Sequence, residues 1–300
     1  MLGIIVAILV LVSTSCGAQA IKPSPTPTPE ASSPKATVPT PATFPDAANT
    51  GVPPGTHLTP YTESCAFQQA GTVIKDKIIS CDHIEILAPN ITISSSELHG
   101  WIDVGPATAH LTLEDSELDA GKSQTPAIGF QNVTVQRTEI RGGQTSVQCA
   151  SNCLIEDSLL HDQMSPVGAQ HLGGYLSNGG SNVVLRHNTI ACTPHDNSAG
   201  GGCTGSIQIF GDFAPLRNFR FEDNLVEATP GGYCASFGQN PGKKFGSDPS
   251  HIVVLNNVFQ RGHSGKCGVY GATTSFFGEG KGNVFKGNTW DNGSPLRPNA

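Results

Sequence analysis

Charge is scarce in this chain of 300 residues: 14% are Asp, Glu, Lys or Arg, and the formal balance is −7. The 17 Lys and Arg are spread too thinly to make a basic stripe, which argues against nucleic acid as a partner. Apolar residues at helical spacing are missing after residue 20, so nothing points to an all-α domain. A helix that crosses a bilayer takes roughly 20 consecutive apolar residues, and the run from Leu2 to Val12 falls short of that. Glycine-rich phosphate loops and serine-hydrolase motifs are absent.

What the N-terminus does carry is an export pattern. MLGIIVAILVLVSTSCGAQA (residues 1–20) reads as the apolar core of a secretory signal followed by small residues, although no Lys or Arg precedes Lys22. Ser13-Thr14-Ser15-Cys16 is similar to a bacterial lipoprotein processing site, which makes Cys16 the candidate for lipidation and a membrane anchor. Cleavage after Ala20 is the alternative. Setting Cys16 aside leaves eight of the nine cysteines, an even number suited to an exported, disulfide-bonded chain. Residues 21–55 contain ten Pro among Thr and Ser and read as a disordered, extended linker. It would reach at most about 100 Å at the polyproline rise. Residues 56–300 are the size of one domain.

A repeat organises that domain. The window polar, apolar, x, apolar, x, x, small polar, x, apolar recurs as NITISSSEL at Asn90, HLTLEDSEL at His110, NVTVQRTEI at Asn132 and NCLIEDSLL at Asn152. It continues as NVVLRHNTI at Asn182, NFRFEDNLV at Asn218, HIVVLNNVF at His251 and GNVFKGNTW at Gly282, with GTVIKDKII at Gly71 as a degenerate first copy. Window starts are 19, 20, 22, 20, 30, 36, 33 and 31 residues apart. Positions four and nine are apolar in every copy. Position seven runs Ser96, Ser116, Thr138, Ser158, then Asn188, Asn224, Asn257, Asn288. Alternation with period two makes a short strand with one buried face, and a small polar residue at a fixed place marks a turn. Stacked turns would let each Asn amide bond its neighbours in an internal ladder. The expected fold is all-β: a single-stranded right-handed parallel β-helix of about nine coils, in which only the stack makes a core.

On these windows the chain resembles the right-handed parallel β-helix superfamily that contains the pectate lyases. More closely, it resembles secreted actinobacterial β-helix repeat proteins, through GVPPGTHL at Gly51, GTVI at Gly71, HDQ…HLGGYLSNGGSNVVLRHNTI and the closing GNTWDNGSPL. The resemblance spans roughly residues 51–295 and implies the fold. It also implies a polysaccharide cleft along a strand face walled by long loops.

Stacked coils lie about 4.8 Å apart, within disulfide reach. Cys234 in GGYCASFG and Cys267 in GKCGVYGA occupy matching places in adjacent coils and are expected to pair. Cys192 and Cys203 bracket one loop, Cys149 and Cys153 share a turn, and Cys65 and Cys81 remain to staple the N-terminal end. Zinc is the competing arrangement, but no CxxC or Cys-His spacing supports it.

The intervals lengthen after Asn152, and the extra residues always enter after position nine, so long loops are expected to stack on one side of the later coils. If Leu172 and Leu176 point inward, then His171, Gly173, Tyr175 and Ser177 point outward, with Gln208 on the same face one coil later. Candidate catalytic residues are His171, Tyr175, His161 and Asp162; a His and a Tyr could act as base and acid in β-elimination from a uronic acid. Tyr233 and Tyr270 are candidates for stacking on sugar rings, with Gln208 beside them and Lys243, Lys244 and Lys266 as loop cations. The alternatives are a His171 that supports the loop bend and solvated Lys243-Lys244. His171-Leu172-Gly173-Gly174 lacks the carboxylate that relatives carry in His-x-Asp-Gly, and Asp103, Asp212 and Asp248 are scattered. Neither a calcium site nor any other metal or cofactor is therefore expected. A glycosidase needs two facing carboxylates, and no spacing pairs Asp162, Asp196, Asp212 and Asp248.

Two functions remain open. One is a lyase, hydrolase or epimerase acting on an extracellular or cell-wall polysaccharide. The other is a non-catalytic glycan-binding or structural surface module. Either would be a monomer, outside the cell or held on its surface. The basic pair Arg186-His187 belongs to neither, because it sits in columns with Glu156, Glu222, Asp157 and Asp223, as alternating-sign ladders between coils.

Overall fold

The computed structural model describes residues 43–299. The signal segment 1–20, Cys16 and most of the 21–55 linker lie outside the described residues. Among those described there is no helix, and 24 strands are joined by parallel ladders. The fold is an all-β parallel β-helix.

Positive backbone dihedrals build its corners. The sixth window position has φ between 46° and 72° in all nine copies: Asp76, Ser95, Asp115, Arg137, Asp157, His187, Asp223, Asn256 and Gly287. Position one is also left-handed in every copy except His110. Asp, Asn and Gly tolerate this conformation best, and they fill most of these places. One left-handed residue turns the chain and lets positions four, seven and nine all face inward.

Three stacks of strands result. The first holds window positions two to five and climbs from Val73–Lys75 through Ile91–Ser94, Leu111–Glu114, Gly180–Arg186 and Leu216–Glu222 to Val284–Lys286. The second holds positions eight and nine, from Glu117–Asp119 and Glu139–Arg141 through Leu159–Leu160 and Thr189–Ile190 to Thr289–Trp290. The third follows the long loops and includes the first half of Thr145–Glu156, whose second half continues into the first stack, then His171–Ser177, Gly202–Phe210, Tyr233–Gly238 and Gly271–Thr274. Inside, Ile93, Leu113, Val135, Ile155, Leu185, Phe221 and Val254 stack without exposure. Phe221, Phe237, Phe276 and Phe285 fill the upper coils edge to face.

The internal ladder forms. Asn188, Asn224 and Asn257 each donate their side-chain amide to the Oδ1 of the next rung at 2.9–3.0 Å. The same Oδ1 atoms accept the backbone N–H of the preceding rung. In the lower coils Ser96, Ser116 and Ser158 return their hydroxyls to carbonyls two residues back. Outside, Arg137 forks onto Asp115 at 2.6 and 2.7 Å, Arg186 pairs with Glu156, and His187 Nδ1 lies 2.6 Å from Asp157.

All four expected cysteine pairs are at bonding distance: Cys65–Cys81, Cys149–Cys153, Cys192–Cys203 and Cys234–Cys267. Such a set suits an oxidising, extracellular environment. Loop-closure entropy makes the pair 33 residues apart worth about 4 kcal/mol and the pair four apart about 2 kcal/mol.

Residues 43–55, which composition assigned to the linker, pack on the solenoid. The Phe44 ring stacks 6.0 Å from that of His187, and Gly51 donates its N–H to Arg137 O at 3.0 Å. Farther on, Thr59–Pro60 pairs with Lys77 and Ile78. This strap therefore runs down the outside, against the direction in which the coils climb. A side chain at Gly51 would meet Glu117.

Candidate functional site

The third stack supplies one outward column whose members are successive ladder partners: Gln148, Leu176, Gln208, Ser236 and Thr274. Beside it, loops at 196–204, 232–233 and 270 wall a cleft of about 380 Å³. Four of the residues singled out in the sequence line this one cleft: His171, Gln208, Tyr233 and Tyr270. Asp196, Thr204, Phe210, Ser236 and Thr274 line it with them.

Each side chain is held from below. Gln208 is 5% exposed and spends Nε2 on the carbonyls of Leu172 (2.9 Å) and Gly205 (3.0 Å), which leaves Oε1 as its free acceptor. Gly173 makes that possible, because a Cβ there would stand 2.7 Å from Gln208 Nε2. His171 is exposed, with Nδ1 2.9 Å from Thr204 Oγ1, and its own carbonyl accepts from Gln144 at 2.8 Å. Nε2 is then the ring atom left for a ligand. Tyr270 is 69% exposed and its ring lies 5.8 Å from that of half-buried Tyr233, tilted by 52°. Both glycines at this place are tight: a Cβ at Gly232 would crowd Tyr270, and one at Gly271 would crowd Tyr233.

Tyr175 does not join them. It is fully buried in the core, donating its hydroxyl to Cys149 O at 2.6 Å, and burial pushes its pKa far above the phenol range. The expected alternation fails at Gly173-Gly174: a Cβ at Gly173 would face Gln208, one at Gly174 would meet core Ile190, and the next residue, Tyr175, is in the core as well. Past Gly173-Gly174, Tyr175 and Ser177 enter the core and Leu176 turns out. Leu172 packs separately with Met164, Cys192 and Cys203.

His161 and Asp162 lie outside this lining. The His161 ring bridges Glu139 and Asp162, each at 2.9 Å. Nearby, burial raises the Glu227 carboxyl above its ordinary range, with Asp162 adding to the effect and His161 opposing it. Lys243 is bound to Asp212 at 2.8 Å and sits 5.5 Å over the Phe210 ring, at one end of the cleft. Lys244 covers the Phe245 ring at 4.9 Å, and neither it nor Lys266 lines the cleft. Among the described residues no group of three or more His, Cys, Asp or Glu gathers closely enough to hold a metal ion.

Thr204, Phe210, Ser236 and Thr274 were not singled out in the sequence. The signal for Ser236 and Thr274 was there, since YCASFG and GATT stack in register on SIQIF. Chemically the cleft offers two tyrosine rings, neutral hydroxyls, an amide oxygen and one imidazole nitrogen. Asp196 is the sole carboxylate among its lining residues, so no facing acid pair is present there. No protein-family model, no curated protein and no solved structure matches the chain.

Proposed function

We propose that this protein is an exported β-helix that holds an extracellular polysaccharide in the Tyr233–Tyr270 cleft without cleaving it. The observation that carries the proposal is the gathering of His171, Gln208, Tyr233 and Tyr270 in one cleft on one sheet face. Aromatic faces with a few placed polar groups are what a sugar ring needs, one side apolar and the rim hydroxylated. A single carboxylate in the lining supports binding over hydrolysis. Membership of the pectate-lyase-like superfamily, supported by the window columns and by GVPPGTHL, belongs to the same proposal. So do the signal segment and lipidation at Cys16, which would hold the domain at a bacterial surface.

A second function has one specific support. His171 keeps Nε2 free in the cleft while Thr204 holds Nδ1, which is how a general base is presented. The test separates the two. Neutral and uronate-containing polysaccharides are immobilised in affinity gels, and the same glycans are assayed for new reducing or unsaturated ends. Retention of one glycan, weakened about tenfold by Tyr270→Ala as expected for one lost stacking ring, with no new ends, supports binding. New ends that vanish in His171→Ala would establish the lyase or hydrolase instead, and no retention at all would sink the binding proposal.

A further inference from the structure

We infer that Trp101, stacked on His83, forms a second saccharide platform on the face that carries the cleft, so the ligand is a linear, uncharged glycan long enough to reach both. The inference rests on the cleft proposal above. His83 and Trp101 are ladder partners in adjacent coils, with rings 4.0 Å apart and nearly parallel at 8°. Their neighbours Ile84 and Ile102 are unexposed, so the two rings point outward. His83 Nε2 is covered, makes no hydrogen bond and lies 4.0 Å from Asp103. The imidazole therefore acts on the indole through its face, stiffening a half-buried ring. Around Trp101 is a groove of about 630 Å³ rimmed by Ser80, Asp82, His99, Lys122 and Ser123. An aromatic floor with hydroxyl, imidazole and carboxylate groups beside it is shared with the upper cleft, while Lys122 is particular to this groove.

The two places are joined. Asp103, in the Trp101 strand, is followed in register by Gly129, Gln148, Leu176, Gln208, Ser236 and Thr274. No member after Asp103 carries charge. A neutral chain can lie on this strip without stripping water from an ion. A polyanion would meet Glu85 and Asp103 at one end and Asp196 at the other. From the Trp101 strand to the Tyr233 strand is five strand spacings of about 4.8 Å, about 24 Å in all. Short oligosaccharides fit one platform, and longer ones gain from both because the second contact is intramolecular.

The chain has two tryptophans, Trp101 and Trp290, so a Trp290→Phe background leaves Trp101 as the sole indole reporter. The retained neutral glycan is supplied as an oligosaccharide series of rising length, followed by Trp101 emission and by calorimetry. Expected is a step in affinity of about tenfold or more once the length spans both platforms, with a shift in Trp101 emission at the same length. Trp101→Ala should remove the step and leave short oligosaccharides bound as before, which also shows that the variant is folded. Affinity that rises smoothly with length while Trp101 emission stays still overturns the second platform and leaves the cleft standing. Absence of any binding overturns both.

Discussion

Replacing Asn224 with Ala should remove the central rung of the internal ladder. Asn224 is unexposed, and its Oδ1 accepts from both the backbone N–H and the side-chain amide of Asn188, each at 3.0 Å. Its own amide donates to Leu185 O and to Asn257 Oδ1, each at 2.9 Å. In the Ala variant Asn188 keeps a partner for its side chain in Ile155 O, but its backbone N–H is left without its acceptor in a dry interior. That orphan costs about 1–3 kcal/mol, and the remaining bonds contribute about 0.5–1.5 kcal/mol each. The sum is about 3 kcal/mol or more, a large part of the 5–15 kcal/mol typical of a domain. Asn224→Asp is the sharper variant. It retains the acceptor for Asn188 but turns a second carboxylate oxygen toward Leu185 O and Asn257 Oδ1, both acceptors. Burial, with that second oxygen set against acceptors alone, raises the carboxyl pKa, so the fold favours its protonated form. Stability is then fullest below the unfolded Asp value near 3.9 and is lost as pH rises through the higher folded value. Urea unfolding followed by circular dichroism, at neutral pH and near pH 4, measures both effects. A loss below about 1 kcal/mol for Asn224→Ala, or an Asn224→Asp protein as stable as the parent at neutral pH, would refute the ladder's role; the expected loss is the hydrogen-bond sum above.

Gly173→Ala puts a methyl group 2.7 Å from Gln208 Nε2 and 3.2 Å from Gly205 O. Glycan retention should fall severalfold with about 1–2 kcal/mol lost from stability; unchanged retention in a folded variant would show that Gln208 is not part of the site. Glu227→Gln should raise the melting temperature at neutral pH, because burial penalises the ionised form first and foremost. A raised folded pKa means the Glu227 contribution is most favourable below the unfolded value and is lost as pH rises through the folded one. The gain should therefore shrink as pH is lowered, and a Gln variant that melts lower at neutral pH would contradict the assignment.

The repeat was readable because solenoid columns test each position nine times. Apolar fours and nines survive every copy, and the asparagine sevens of the last four copies form the ladder they imply. Corners were partly readable. Asp76, Asp115, Asn256 and Gly287 are residues that accept a left-handed backbone, whereas Arg137 and His187 are not obvious corner residues. They hold it while bound to Asp115 and Asp157 of the coil before, a compensation visible only across coils. The third stack was the hardest to read. It has no fixed length, and the alternation on which the facing of Tyr175 rested breaks at Gly173-Gly174. The strap at 43–55 has the composition of a linker; its order comes from contacts such as Gly51 against Arg137 and Glu117, more than 60 residues away in the chain.

The cleft and the change of ladder residue fall in the same coils, and the energetics connect them. Up to Ser158 the intervals are near 20 residues; from Asn182 onward they exceed 30. Lengthening a loop by that ratio costs less than about 0.6 kcal/mol in closure entropy, but the longer segment also brings polar backbone that the sheet no longer orders. A serine rung uses its hydroxyl on the preceding N–H and on a carbonyl two residues back, as Ser158 does for Thr138 and Glu156. The longer asparagine reaches farther. Asn188 bonds Ile155 O of the coil below and Asn224 of the coil above, tying three coils at one corner. Two added bonds of about 0.5–1.5 kcal/mol each more than offset the closure cost. The corner after position nine can then carry the loops that wall the cleft. Every residue lining that cleft comes from position 171 or later. The asparagine corner is thus a condition of the binding face, and Asn224→Ala should loosen Tyr233 and Tyr270 before it unfolds the lower coils, which hydrogen exchange resolved by segment would detect.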